Sequence, residues 1–303
     1  MSKKIVVYGK NGQLGTALAK VLGEDAVIFA NSEHDFSLIQ NIKNALEAVD
    51  IKAVINATAY TNVNKAEEEE ELANKANCEI PKAMAGYCKE RDVPFIHFST
   101  DYVFPGEGDK PYKEDDKTSP LNAYGRSKLA GEEAVAEIGG KYLIFRTSWV
   151  YNATHPNFLN TMLKLGADRE ELSIVADQFG APSYAPHLAM ATKEIIDSPE
   201  FQRPSPQPSP EGRGGSGDFP SGIYHMCGAG ETSWHGFASA IFDAARTNGA
   251  TLKIKEVKPI SSEEFPTPAK RPKNSRLDCS KLRKTFDVSM PSWEDGLKEC
   301  FSD

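Results

Sequence analysis

Short apolar runs alternate with segments of helical periodicity through the first half of the chain. Residues 5–8, 27–30, 53–56, 94–98 and 142–145 are rich in Val, Ile, Phe, Ala and Tyr. Largely apolar runs of this length read as strands buried on both faces. Between them, 13–22, 38–49, 68–91 and 123–138 carry apolar residues at helical spacing. Strict alternation of strand and helix predicts an α/β fold, a Rossmann-type doubly wound parallel sheet with right-handed crossovers. Past about residue 150 the pattern loosens. Helices are expected at 157–165, 185–196 and 234–245, and strands near 172–175 and 223–226. The reading divides the chain into a Rossmann domain over 1–150 and a smaller α+β region over 151–303.

One stretch departs from this composition. Residues 198–221 hold six Pro and four Gly and offer almost nothing to bury, the pattern of a flexible surface insertion. A proline-rich docking segment at 204–208 is the functional alternative.

The chain has 303 residues, 40% hydrophobic and 26% charged, as in an ordinary globular protein of one or two domains. A net charge of −8 argues against nucleic acid or an anionic membrane as partner. No apolar run nears the ~20 residues that span a bilayer, and the first strand begins too early to follow a signal peptide. Five scattered cysteines without Cys-x-x-Cys read as reduced thiols, so a cytoplasmic location is expected.

Chemistry enters with three short motifs. Gly9-x-x-Gly12-Gln13-Leu14-Gly15 follows a strand and opens a helix, the setting in which backbone N–H groups cradle a pyrophosphate. The second strand ends at Asn31 without the acidic residue that holds a ribose 2′-hydroxyl, and without an Arg for a 2′-phosphate. The cofactor is therefore NADPH or NADH. Asp35 and Phe36 either line the adenine or, for Asp35, cap the next helix. Residues 57–61, including Ala59, Tyr60 and Thr61, are expected along the cofactor's far half. Ser99-Thr100-Asp101 closes the fourth strand, at the edge where ligands gather in such sheets. Tyr124 and Lys128, four apart, share one helix face about one turn of ~5.4 Å from each other. An ammonium that close is expected to lower the phenol from its usual ~10, suiting it to exchange a proton with a carbonyl. The acidic run 67–71 reads as a solvated helix start. No His pair has metal-ligand spacing, and there is no Gly-x-Ser-x-Gly.

Longer stretches carry a resemblance: 55–67, 99–104, 120–132, 146–151, 177–182 and 266–277. On these the chain resembles the extended short-chain dehydrogenase/reductases, and within them the nucleotide-sugar 4-ketoreductases. The match runs nearly end to end, omitting the Pro-rich insertion. The resemblance implies an NAD(P)H-dependent oxidoreductase reducing the C4 ketone of dTDP-4-dehydro-β-L-rhamnose, the last step in making dTDP-rhamnose for surface polysaccharide. It implies a catalytic trio: Tyr124 as proton donor, Thr100 orienting the oxygen, and Lys128 tuning the Tyr and holding the nicotinamide ribose. Thr100 and Asp101 would contact the sugar, and Trp149 would stack on thymine; from the residues alone, Trp149 equally suits a core position. It also implies that a strand from the C-terminal region rejoins the main sheet. Some relatives bind a metal at a dimer contact through two carboxylates, whose places here hold Ala17 and Pro186. No metal requirement is therefore expected, and a monomer or weak homodimer. Two rivals stand beside this reading. One is an epimerase or dehydratase, although the acidic pair usual after a dehydratase Thr is here Asp101-Tyr102. The other is a non-catalytic subunit resembling the β subunit of methionine adenosyltransferase.

Overall fold

The computed structural model describes residues 3–29, 46–47, 49–205 and 218–302. Its centre is a six-stranded, wholly parallel sheet. Five strands come from the first half: β1 (Lys4–Tyr8), β2 (Ala26–Phe29), β3 (Ile51–Asn56), β4 (Phe95–Thr100) and β5 (Tyr142–Thr147). The sixth is Gly222–His225, which lies against β5 with Ile223 beside Ile144. Across the sheet the order is β2, β1, β3, β4, β5, then Gly222–His225. The order reverses between β1 and β3, which makes that gap the switch point where doubly wound sheets bind ligands.

The alternation of side chains explains why these runs are apolar throughout. Ile5, Val7, Ile55, Ile96, Leu143 and Phe145 point into one core, with Leu14 and Leu18 of helix α1 (Gln13–Leu22) and Leu188 and Ile195 of helix Ala185–Asp197. Their neighbours Val6, Tyr8, Val54, Phe95 and Ile144 point into a second, with Ile80, Met84 and Val135. Period-two pointing with helices on both faces leaves the strand interiors buried and only end positions such as Lys4 and Lys52 part-exposed. A third core, built on Leu159, Phe237, Phe242 and Leu297, joins helices Phe158–Asp168, Trp234–Thr247 and Trp293–Cys300.

Three departures from expectation have physical causes. Segment 68–91 is not one helix. It runs as a 3₁₀ turn (Lys65–Glu67), a helix (Glu70–Asn74), a π-helical turn (Lys75–Glu79) and a further helix (Ile80–Glu90) with Pro81 in its first turn. The strand expected near 223–226 starts one residue earlier, at Gly222, and it rejoins the main sheet as the resemblance implies. The Pro-rich stretch is anchored at both ends, because Phe201 and Phe219 are buried and meet edge to face at 5.4 Å. Its middle, 206–217, lies outside the described residues, as do the expected strand end at Ala30 and nearly all of the helix at 38–49.

Candidate active site

The glycine turn sits at the end of β1, beside the switch point. Gly9 has φ +111°, and a Cβ there would lie 2.7 Å from the Ala57 carbonyl oxygen. A Cβ on Gly15 would fall 1.9 Å from the Gly9 carbonyl oxygen, so both positions exclude any side chain. Gly12 meets nothing closer than 3.4 Å, so the turn itself does not demand glycine there. Helix α1 starts with no side-chain cap and no acidic residue in its first turn. Its leading N–H groups and positive dipole end therefore suit a pyrophosphate. Leu14 is buried in the core, and the Gln13 amide bridges the Val150 carbonyl and Asn157, which caps helix Phe158–Asp168. Only the backbone of these two residues is left to meet a ligand. Asn31, Asp35 and Phe36 lie outside the described residues.

Past β3, Ala59 is half-buried and Thr61 is exposed. The Tyr60 ring turns inward, and its hydroxyl donates to Glu69 at 2.6 Å. The Tyr60 backbone is clamped from both sides by the Asn77 amide, which also donates to the Ser127 hydroxyl at 2.9 Å. Asn77 lies in the π-helical turn. A Cβ on Gly131 would meet the Asn77 carbonyl oxygen at 2.0 Å, so the two helices touch backbone to backbone.

Thr100, Asp101, Tyr124 and Lys128 gather at the C-terminal edge of β4 and the start of helix Ala123–Ile138. That helix is capped twice. Asn122 Oδ1 accepts from the Gly125 N–H at 2.8 Å, and Glu67 accepts from the Ala123 N–H at 2.7 Å. The acidic run is therefore not merely solvated: Glu70 also pairs with Arg126 at 3.0 Å. Gly125 admits no Cβ, because the Tyr102 carbonyl oxygen would lie 2.3 Å away. The Tyr102 and Tyr124 rings meet edge to face at 5.6 Å, and Arg271 donates to the Tyr102 hydroxyl at 3.2 Å.

The electrostatics differ from expectation at one point. Burial pushes the Tyr124 phenol up, the Asp101 charge adds to this, and a hydrogen bond with Thr100 opposes it. Lys128 does not pull the phenol down, because its ammonium group is directed elsewhere. Nζ donates to the Phe98 carbonyl at 2.6 Å and lies 3.2 Å from His97 Nε2. Burial brings Lys128 down to about 8, against the raising influence of Glu132. Glu132 itself receives both arms of Arg146, at 2.6–3.2 Å, with both side chains almost wholly buried. Asp101 is 2% exposed, and burial raises its carboxyl to about 6 despite the Thr100 and Ser275 hydroxyls. Thr100 donates to Asp101 Oδ1 at 3.0 Å, while Oδ2 has no hydrogen-bond partner among the described residues.

His97 and Asn56 carry no motif, and sequence reasoning missed them along with Asn77 and Glu67. Asn56 Oδ1 accepts from the Thr58 N–H and hydroxyl, which turns its Nδ2 toward His97 Nδ1 at 3.2 Å. Burial and the Lys128 charge hold His97 neutral. With Asn56 donating to Nδ1, the ring proton sits on Nε2 and points at Lys128. All donors then find acceptors only when Lys128 is a neutral amine. The network thus favours a lysine that releases its proton easily.

Trp149 has φ +47°, a strained setting for a bulky side chain. Its ring stacks on Trp234 at 3.7 Å, and the missing Cβ of Gly180 would sit 3.0 Å from it. Among the described residues no group of three or more His, Cys, Asp or Glu is placed to hold a metal ion. No helix among them is long and apolar enough to cross a membrane.

A family model described as the RmlD substrate binding domain matches residues 3–303. The chain belongs to that family. The dTDP-4-dehydrorhamnose reductase of Burkholderia thailandensis is 42% identical over 305 residues, covering 99% of this chain and 98% of its own. The Salmonella typhimurium protein of the same name is 39% identical over 309 residues, with 99% and 97% covered. A crystal structure of the Bacillus anthracis dTDP-4-dehydrorhamnose reductase, in complex with NADP, superposes with a TM-score of 0.86 at 34% identity. It covers 100% of this chain and 99% of its own. RmlD membership accords with an α/β nucleotide-binding fold and with an oxidoreductase.

Proposed function

We propose that the chain reduces the C4 ketone of dTDP-4-dehydro-β-L-rhamnose to dTDP-β-L-rhamnose with NADPH, NADH being the alternative reductant. The observation that carries this reading is one juxtaposition. The Thr100–Tyr124 hydroxyl pair stands at the ligand-binding edge of the sheet, with Lys128 one helical turn on, two strands from an uncapped glycine turn. Support for the substrate comes from relatives of this name that match end to end, and for the cofactor from the NADP of the B. anthracis protein.

The glycine turn fits a dinucleotide, because Gly9 and Gly15 leave its backbone bare and Gly12 leaves open space where a phosphate would approach. Residues 1–150 would hold the cofactor, and 151–303, with 198–221 as an insertion, mainly the sugar nucleotide. Once bound, the nicotinamide supplies a hydride. Tyr124 then delivers its hydroxyl proton to the ketone oxygen, which Thr100 orients by a second hydrogen bond. The burial that raises the Tyr124 phenol keeps that proton in place until negative charge develops on the oxygen. Lys128, one helical turn on, has a pKa of about 8 and so can pass a proton toward the phenolate left behind. Before substrate arrives the Thr100 hydroxyl donates its proton to Asp101 Oδ1 at 3.0 Å, and it turns from there to the ketone oxygen. We place this work in the cytoplasm, in keeping with five free cysteines.

The test is NADPH oxidation at 340 nm with dTDP-4-dehydro-rhamnose as substrate, with and without EDTA. Oxidation that yields dTDP-rhamnose and survives EDTA is the expected result. Tyr124→Phe should abolish turnover and leave NADPH binding intact. Cofactor binding without turnover in the native protein would favour the non-catalytic subunit reading instead.

A further inference from the structure

Cys227 and Cys279 are not used by the mechanism, yet their sulfurs lie 3.6 Å apart at the catalytic edge of the sheet. Cys227 follows strand Gly222–His225, and the Ser148 hydroxyl and the Asp101 charge both act on its thiol. Cys279 ends the C-terminal segment that carries Asn274 and Arg276, and it precedes helix Ser280–Phe286. Both cysteines line one open cleft, with Gly228, Glu231 and Leu277. Cys279 is part-exposed there and open to a small reagent, whereas Cys227 is buried beside it.

We propose that Cys227 and Cys279 form a reversible redox site, which a low-molecular-weight disulfide closes to an intramolecular disulfide beside the sugar-binding side of the active site. The chemistry balances as two exchanges. The Cys279 thiolate attacks one sulfur of the small disulfide, forms a mixed disulfide and expels one small thiolate. Cys227 then loses its proton and attacks the Cys279 sulfur, expelling the second. Two protein thiols are oxidised to one disulfide, and one small disulfide is reduced to two thiols. The polarity of the pair suits this order: the Cys279 thiol is lowered by its contact with Cys227, while Cys227 is raised by that contact and by burial.

Closure must shorten the sulfur separation from 3.6 Å to about 2.05 Å. That draws the 274–279 segment toward Asp101 and Ser148. Arg276 travels with it, and its present place is set by the ion pair with Glu231 at 2.5 Å and by its position over the Phe179 ring. The glycine turn stands four strands away and keeps its geometry. Resting on the reductase reading, the closed form binds the keto-sugar less well and NADPH as before.

The purified full chain would be incubated with oxidised glutathione, alkylated with iodoacetamide and measured by intact and peptide mass spectrometry. The expected product has lost the mass of two hydrogens, contains a 227–279 cross-linked peptide and reverts with dithiothreitol. In Cys227→Ser, Cys279 should instead retain glutathione. In Cys279→Ser, Cys227 should stay reduced. Kinetics on the oxidised protein should give a several-fold rise in KM for the keto-sugar with an unchanged Kd for NADPH, absent in both Ser variants. Wild type that keeps both thiols open to alkylation, or that cross-links other cysteines, overturns the site. Cross-linking with unchanged KM overturns its effect on the substrate. Because the mass measurement needs no turnover, failure of the reductase reading would leave the thiol result standing on its own.

Discussion

Replacing Asp101 with Asn should make the protein more stable at neutral pH while harming its chemistry. Asp101 is fully enclosed, so no solvent screening discounts the cost of its charge. Its carboxyl rises from 3.8 to about 6 in the folded chain, with burial the largest cause. At 1.36 kcal/mol per pH unit, that shift corresponds to about 3 kcal/mol of lost stability at pH 7 and above. The sign follows from proton binding. Below about pH 4 the group is neutral in both folded and unfolded chains, and nothing is lost. Between about 4 and 6 the folded chain holds the proton more tightly, so stability falls as pH rises through that window. Asn carries no charge and avoids the loss. Its Oδ1 keeps the hydrogen bond from Thr100. Urea unfolding of wild type and variant at pH 5, 6, 7 and 8 measures the difference. The variant should be about 3 kcal/mol more stable at pH 8, with the gap shrinking toward pH 5. A gap that does not change with pH, or a variant less stable at pH 8, would refute the reasoning.

Other outcomes can be checked alongside it. Glu132→Gln leaves Arg146 buried without its partner, which should cost about 3–5 kcal/mol in calorimetry. The same change removes the influence that raises Lys128, so the alkaline limb of kcat/KM, expected near 8, should move to lower pH. Asn56→Asp should move that limb the other way. A carboxylate accepts from His97 Nδ1–H, which frees Nε2 to accept from a Lys128 ammonium. Gly15→Ala must displace backbone and should exceed the ~1–3 kcal/mol of ordinary overpacking. Gly12→Ala, by contrast, should leave the thermal midpoint nearly unchanged and weaken NADPH binding in a fluorescence titration.

The main sheet was legible in the chain because each of its strands is a run of residues with one preferred environment. Val6 and Val7 both end in apolar cores, on opposite faces, so no alternation was needed to find them. The two-residue strands Val150–Tyr151 and Ser183–Tyr184 pair with each other just past Trp149, at φ +47°, and are too short to carry such a period. The Thr100, Tyr124 and Lys128 positions were readable from spacing, since strand end and helix face follow from local geometry. Their electrostatics were not. Lys128 meets His97, which is 31 residues away, and Arg146 meets Glu132, which is 14 away on another element. A single polar residue in an apolar strand, as at His97, gives no local hint of what it faces.

The π-helical turn at Lys75–Glu79 bears on how this chain can change length. A π turn is an α-helix with one residue too many, and here the extra residue lets Asn77 reach Tyr60, Ser127 and the bare backbone of Gly131 at once. Deleting any one residue there would restore a regular helix and rotate one side against the other by about 100°. Asn77 would then swing away from the helix that bears Tyr124 and Lys128, with no residue of that helix altered. Insertions and deletions are commonly absorbed by surface loops. In this five-residue turn, by contrast, the number of residues matters more than their kind. A deletion scan across 70–90 should find a sharp minimum in tolerance there, where a substitution scan would see only an ordinary helix.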